Sequence, residues 1–234
     1  MVRESIRIGK RERRWLPRLF RPKVVFALRE GPALERPGDR RLASLLAVAY
    51  GALGAAGGAL AFFFAGRRPL SHPRPWLGLP PVASISASIA LGVALAFGIV
   101  VLTRWTVARY AWARSLHLEL RPVARRFSQQ EIWLVAALSS IGEELFFRSF
   151  LVPTMGLVGS TILFGVLHQV RGRSRWVWAA WATVVGLLLG SIFVATGSVL
   201  GPMVAHALIN GINLSFLKAH APEAGPARAD AEVT

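Results

Sequence analysis

The apolar residues of this 234-residue chain form long runs, unlike the short alternating or helical periodicities of a soluble domain. A helix needs about 20 apolar residues to cross the hydrocarbon core of a bilayer, and most of the runs are long enough. The fourth run is short, and we expect it to be re-entrant or tilted into the bundle. The pattern predicts an all-α polytopic membrane helix bundle with about six transmembrane helices. Its runs are residues 42–65, 82–103, 132–152, 157–170, 176–196 and 199–217.

The charge distribution is consistent with this reading. The net charge of +16 would suit a nucleic-acid partner, but the basic residues concentrate in alternate loops and in the N-terminal arm. The basic residues in the loop between the first and second runs are only three: Arg67, Arg68 and Arg74. This is the positive-inside pattern, which predicts cytoplasmic termini and accounts for the charge without nucleic acid. Basic residues that are mostly Arg, with abundant Ala and Gly, suggest a bacterial inner (cell) membrane.

The chain divides into four predicted regions. Residues 1–41 form a basic cytoplasmic arm that can hold anionic lipid headgroups. Residues 42–130 contain two spans, interpreted as scaffold and anchor, and a basic amphipathic connector, with Gly54 and Gly58 favouring close helix packing. Residues 131–217 form the core that carries the chemistry, and 218–234 form a disordered tail. Without cysteine, thiolate catalysis and disulfides are excluded.

The ends of the third span and the membrane interface have sequence signals as well. Ser128 and Glu131 form a capping-box pattern that predicts a helix start near residue 129. Pro153 and Gly156 are expected to end this span. Four tryptophans fall at predicted cytoplasmic interfaces and are interpreted as anchors in an aromatic belt: Trp133, Trp176, Trp178 and Trp181.

Three ionisable residues lie inside the third run, where each costs about 3 kcal/mol at the bilayer centre. Glu144 and Arg148 are four residues apart on a helix, so we expect a structural ion pair. Glu143 points about 100° away from Glu144 and has no partner on its own helix. A carboxylate in that position needs water, a proton or a partner from another helix.

Two other spans carry possible partners. Phe164 and His168 share one helix face, as do His206 and Asn210. Glu143 can act as general base on a water that His168 orients, while His206 and Asn210 donate to an oxyanion. Two His and one carboxylate can instead bind catalytic zinc, although no HExxH spacing is present. The residues leave both mechanisms open.

The order of these motifs resembles the CPBP family of intramembrane proteases, which includes CAAX prenyl endopeptidases, Abi proteins and myxosortases. The resemblance covers residues 131–216. It implies an all-helical membrane fold and an endopeptidase activity that cleaves membrane-anchored proteins near their C-terminus. It implies that Glu143 and His168 activate water and that His206 and Asn210 stabilise the oxyanion. It favours no cofactor; zinc, if used, would be held by Glu143, His168 and His206. The motifs are Glu143-Glu144-x-x-x-Arg148, Phe164-x-x-x-His168 and His206-x-x-x-Asn210, with Glu144, Arg148 and Phe164 in supporting roles.

Two other functions are compatible with the same residues. Intramembrane Glu, His and Arg also mark small ion or proton transporters. A non-catalytic membrane immunity or scaffold protein could keep the pocket and cleave nothing. The protease reading requires the side chains of Glu143, His168 and His206 to meet within about 10 Å, close enough to share one water. Its expected partners are the lipid bilayer and a membrane-anchored protein or peptide, with no nucleic acid.

Overall fold

The computed structural model describes residues 39–66, 68–170 and 172–222. The N-terminal arm apart from its last residues, and the tail beyond 222, lie outside this part of the chain. The described residues are helical apart from loops and one antiparallel bridge, so the all-α prediction is confirmed. The elements are α1 (Arg40–Phe64), α2 (Pro81–Arg109), α3 (Ala111–Ala124), α4 (Gln129–Glu143), a π-helical segment (Glu144–Leu151), α5 (Val152–Leu167), α6 (Arg175–Thr196) and α7 (Leu200–Ala219).

Within the described ranges, 5 helices are long and apolar enough to cross a membrane. They are α1, α2, the continuous stretch Gln129–Leu167, α6 and α7. The predicted number was about six, because the third and fourth apolar runs were taken as separate helices. Both runs, the fourth as far as Leu167, lie in the stretch Gln129–Leu167, which folds back on itself within its length. The membrane-bundle prediction is confirmed, with five candidate spans.

This long stretch reverses direction at Gly156. The Gly156 backbone (φ 85, ψ 163) lies in a region that is essentially restricted to glycine. Beyond it the chain folds back: the Ser160 hydroxyl donates to the Phe147 carbonyl at 3.0 Å, and the Phe147 and Phe164 rings are 4.9 Å apart. On one straight helix these two phenylalanines would be separated by about 25 Å. The fourth run is therefore a short antiparallel arm, as its length suggested. Pro153 does not end the helix, because it lies in the first turn of α5, where a missing N–H is tolerated.

The connector helix α3 gathers several helix ends at one end of the bundle, called here the α3 end. Asp39, the N-cap of α1, donates its N–H to the Arg126 carbonyl at 2.8 Å. The Ser174 N–H and hydroxyl, at the start of α6, both donate to the Glu119 carboxylate at 3.1 and 3.0 Å. Because α2 and α4 flank α3 in sequence, the start of α1, the end of α2 and the starts of α4 and α6 all meet here.

The other end of the bundle joins the loop after α1 to the turn between α6 and α7. The His72 N–H donates to the Gly197 carbonyl at 2.8 Å, beside the bridge between Ser71 and Ser198. Of the described basic residues outside the core, Arg68 and Arg74 lie at this end and the others lie at the α3 end. The charge asymmetry expected from the sequence is therefore an asymmetry between the two ends of the folded bundle.

Small residues bring α1 onto the segment that carries the site. A Cβ added to Gly57 would lie 2.6 Å from the Phe146 backbone nitrogen, and one on Gly54 would lie 3.3 Å from the Gly142 Cα. Gly58 has nothing within 4 Å. Gly54 therefore takes part in close helix packing, as predicted. The second close contact is made by Gly57 and not by Gly58, because spacing along the sequence does not tell which face of α1 meets the neighbouring helix.

Candidate active site

The helix that carries the candidate base has a well-defined start. The Ser128 hydroxyl accepts from the Glu131 N–H at 3.2 Å, and the Glu131 carboxylate accepts from the Ser128 N–H at 2.7 Å. This is the predicted capping box, and α4 begins at Gln129. Helix α4 ends at Glu143, where the backbone widens into the π-helical segment. Such segments are uncommon and frequent at functional sites.

The ion pair expected between Glu144 and Arg148 is present in the core. Arg148 Nη1 lies 3.0 Å from Glu144 Oε1, and both side chains are essentially inaccessible. Arg148 Nη2 also donates to the Gly186 carbonyl at 3.0 Å, and its guanidinium lies 4.5 Å from the centre of the Phe164 ring. A Cβ at Gly186 would come within 2.9 Å of that ring. Because Gly186 on α6 has no side chain, there is space for Arg148 and Phe164 to pack against each other.

Glu144 has a second partner that the sequence did not indicate. Its Oε1 lies 2.7 Å from His206 Nδ1, and both groups are buried. Since a carboxylate accepts hydrogen bonds, Nδ1 of His206 carries the proton in this contact. The His206 ring is thereby oriented with Nε2 towards Glu143. The supporting role expected of Glu144 thus has a specific geometry: it links Arg148 to His206.

His168 is oriented by its own helix end. It is the C-cap of α5, and its Nδ1 lies 2.7 Å from the Phe164 carbonyl, to which it donates. The His168 and Phe164 rings lie 4.1 Å apart, so Phe164 is stacked between His168 and Arg148. With Nδ1–H donating, Nε2 is left as an acceptor, and it lies 3.5 Å from Glu143 Oε2.

Three of the predicted site residues therefore converge on one atom. Glu143 Oε2 lies 3.5 Å from His168 Nε2 and 3.7 Å from His206 Nε2, well inside the required 10 Å. Within the described chain this oxygen is buried and has no hydrogen-bond partner. Asn210, one turn beyond His206 on α7, lines the same cavity and donates one amide N–H to the Ser139 hydroxyl at 3.3 Å. Its second N–H is free to serve a ligand in that cavity.

The cluster has an unbalanced charge unless it holds an extra proton. Glu143 and Glu144 are two carboxylates, and Arg148 is the one guanidinium that contacts them among the described residues. An uncompensated charge at this depth is costly. One proton shared among Glu143, His168 and His206 would make the cluster neutral, and the short distances between these groups allow that sharing.

A cavity of about 350 Å³ connects this cluster to the α3 end. Its walls are mostly apolar and aromatic, and α3 contributes Trp112, Leu116 and His117. Trp178 and Trp181 also line it: α6 turns these two rings towards the cavity, and the Trp178 ring lies 6.5 Å from that of His168. Trp133 and Trp176 are exposed on the bundle surface, as anchors would be.

Sequence reasoning missed Tyr50 at this site. Tyr50 lies near the middle of α1 and lines the cavity together with Glu143. It was assigned to an anchoring span because the first two runs carry few polar side chains. Its depth was the available signal, since tyrosines in membrane helices favour the interfaces rather than the centre.

The metal alternative was tested against the donor geometry. The orientation of His168 and His206 through Nδ1 is of the kind found in metal-binding histidines. However, no three His, Cys, Asp or Glu side chains in the described ranges are arranged so that they could hold a metal ion. The zinc alternative with Glu143, His168 and His206 as ligands therefore stays a prediction from the sequence.

The fold and the site define a polytopic helical membrane protein with a buried Glu–His cluster beside an apolar cavity. Residues 128–212 match the model of the Rce1-like type II CAAX prenyl endopeptidases. Residues 128–212 are therefore similar to a domain of this family of intramembrane proteases, as the motif order predicted. Every residue predicted for the site lies within the matched region, whereas Tyr50 lies outside it.

A curated bacterial relative has a similar segment. The chain is 32% identical over 81 residues to the uncharacterized protein YpbD of Bacillus subtilis (strain 168). The matched segment covers 35% of this chain and 42% of YpbD, so the similarity extends over less than half of either protein. No solved structure matches the chain at a significant level.

Proposed function

We propose that this protein is an intramembrane endopeptidase that cleaves membrane-anchored protein substrates near their C-terminus. The observation that carries the proposal is the approach of His168 and His206 to the buried Glu143 carboxylate beside the cavity, at 3.5 and 3.7 Å. Membership of a protease family supports a protein substrate. The apolar walls of the cavity suit a substrate segment that lies in the membrane.

Glu143 acts as the general base together with His168. A water that donates one hydrogen to Glu143 Oε2 and the other to His168 Nε2 can lie about 2.8 Å from both, because the two acceptors are 3.5 Å apart. Its oxygen attacks the scissile carbonyl carbon while its proton moves to Glu143. When the tetrahedral intermediate collapses, the C–N bond breaks and Glu143 returns this proton to the leaving amine.

His206 and Asn210 stabilise the oxyanion that forms on the carbonyl oxygen. Glu144 accepts the Nδ1–H of His206 and orients its ring. When the proton shared within the cluster lies on Nε2 of His206, that Nε2–H donates to the oxyanion. Asn210 contributes the amide N–H that Ser139 does not use. Arg148 keeps Glu144 in place and compensates its charge. The buried charges are thus preorganised before substrate binds.

We also propose that the α3 end faces the cytoplasm of a bacterial cell. Most described basic residues lie there, which agrees with the positive-inside rule, and the start of α1 and the end of α7 share this end. Basic side chains at this end can hold anionic lipid headgroups. Since the cavity extends towards α3, substrate would reach Glu143 from the cytoplasmic side of the membrane.

The proposal is tested by expressing the wild type and Glu143→Gln with a candidate membrane-anchored substrate, and following its C-terminal tail by mass spectrometry. Glu131→Gln is a matched control on the same helix, about 18 Å away, and it keeps a capping-box residue. We expect tail loss with the wild type and with Glu131→Gln. Glu143→Gln should slow cleavage at least 100-fold, about the lower range for a lost general base.

Asn210→Ala should reduce cleavage about 100-fold, as expected for one oxyanion donor. Equal processing by the wild type and Glu143→Gln would remove Glu143 from the mechanism. If no membrane protein loses its tail in cells that express the folded wild type, the protease proposal fails in favour of the non-catalytic scaffold.

A further inference from the structure

Tyr50 is held beside Glu143 by close contact between α1 and α4. A Cβ on Gly142 would lie 2.5 Å from the Tyr50 carbonyl oxygen, so the two backbones touch at the residue that precedes Glu143. The Tyr50 ring packs against an apolar cluster that includes Ile132 and Val135 of α4. The ring is thereby held at the cavity that Glu143 also lines.

The hydroxyl and the carboxylate complement each other chemically. A phenol held in an apolar setting requires a hydrogen-bond partner, and Tyr50 is the α1 side chain that lines the cavity. On the other side, Glu143 Oε2 has no hydrogen-bond partner among the described groups, while both histidine Nε2 atoms stand more than 3.4 Å away. This buried carboxylate therefore has the capacity to accept a further hydrogen bond.

We propose that Tyr50 is a positioning residue that donates a hydrogen bond from its hydroxyl to the Glu143 carboxylate. An O–H bond to an ionised carboxylate is among the stronger hydrogen bonds in proteins and fixes the acceptor group. The hydrogen bond from Tyr50 fixes the orientation of the Glu143 carboxylate, and the lone pairs that remain are available to the water shared with His168. This role rests on the proposed protease function, but the hydrogen bond itself can be tested without activity.

The first test uses the fact that the chain has only 2 tyrosines. The second, Tyr110, is exposed and stacks near Trp112, which makes it an internal reference. Protein carrying ¹³Cζ-tyrosine in detergent micelles gives two resonances, and Tyr110→Phe assigns them. We expect Glu143→Gln to shift the Tyr50 resonance and leave that of Tyr110 in place. A Tyr50 resonance that is identical in Glu143→Gln and in the wild type would overturn the hydrogen bond.

The second test measures cleavage by Tyr50→Phe, which keeps the ring and removes the hydroxyl. We expect kcat to fall about tenfold to hundredfold with KM unchanged, the range for one lost hydrogen bond to a charged group. Tyr110→Phe should cleave at the wild-type rate. Tyr50→Leu removes the ring as well and should add a loss of thermal stability that Tyr50→Phe does not show.

The outcomes separate this inference from the protease proposal. Wild-type kcat in Tyr50→Phe, with reduced activity only in Tyr50→Leu, would leave Tyr50 with packing alone and overturn the positioning role. If the wild type cleaves nothing, the protease proposal fails and with it the positioning of a base. The pairing of Tyr50 with Glu143 is then decided by the resonance shift.

Discussion

Replacing Arg148 by Met tests the balance of buried charge beneath the site. The side chain lengths are similar, so the substitution removes the cation and its hydrogen bonds while filling most of the same space. Glu144, which is fully buried, then loses the guanidinium 3.0 Å from its Oε1. The Gly186 carbonyl loses its donor at 3.0 Å, and the contact with the Phe164 ring is lost.

We expect Arg148→Met to lower the free energy of unfolding by about 3–5 kcal/mol, the cost of leaving one member of a buried ion pair uncompensated. The lost hydrogen bond to Gly186, about 1–3 kcal/mol, and the cation–π contact, about 1–2 kcal/mol, overlap with this value rather than adding to it. For a chain of this size the melting temperature should fall by roughly 6–20 °C.

The decisive comparison is with the double variant Glu144→Gln/Arg148→Met. It removes both charges, so it should recover most of the stability that the single substitution loses. Arg125→Met, at the exposed residue that directly follows α3, is the matched control and should change stability by no more than about 0.5 kcal/mol. Thermal unfolding in detergent micelles, followed by circular dichroism, gives all three values. A loss below about 1 kcal/mol for Arg148→Met, or a double variant no more stable than the single one, would refute the role assigned to this pair.

Three further outcomes are expected. Gly57→Ala should lower the melting temperature, because its Cβ would lie 2.6 Å from the Phe146 nitrogen, whereas Gly58→Ala has open space and should be neutral or slightly stabilising; equal melting temperatures would contradict the packing of α1. Burial lowers the pKa of His117 in the docked form of α3. As the pH falls below about 6.5, the undocked form therefore binds a proton that the docked form does not. The docking of α3 consequently weakens with falling pH until the lowered pKa is reached. Hydrogen exchange of α3 should quicken over that range in the wild type and not in His117→Gln; the same acceleration in both would assign it to another group. Cleavage should survive a chelator, since in the proposed mechanism Glu143 itself activates the water, and a loss of cleavage that zinc restores would assign the water to a metal ion instead.

Much of the local structure could be predicted from the sequence. The capping box at Ser128, the pairing of Glu144 with Arg148, and the helical runs depend on residues within a few positions of each other. The order of the motifs was enough to predict the family domain. The prediction that Glu143 needs a partner from another helix followed from the cost of a free carboxylate in the membrane, and both histidines face it.

Other features depended on how helix faces meet. The sequence did not indicate that Gly156 turns the chain back on itself, because a single glycine also occurs inside straight helices. It did not indicate the contact of His206 with Glu144, which joins residues on α7 and the π-helical segment. Trp178 was taken as an interfacial anchor because its position along the chain says nothing about the direction in which α6 turns it.

Membrane insertion depends on the composition of each segment, because every segment that crosses the hydrocarbon core must be apolar over its length. The sequence therefore determined the helical bundle and showed the unusual charges within it. Rotation and depth of the helices depend on contacts between distant residues, such as Gly142 against α1 and Gly186 against Phe164. Only the tertiary structure decided that Tyr50 of α1 and Glu143 of α4 line the same cavity, since no spacing along the sequence relates these two helices. A buried carboxylate can be recognised within one apolar helix because placing its charge in the membrane costs free energy. Its partners depend on how several helices pack together.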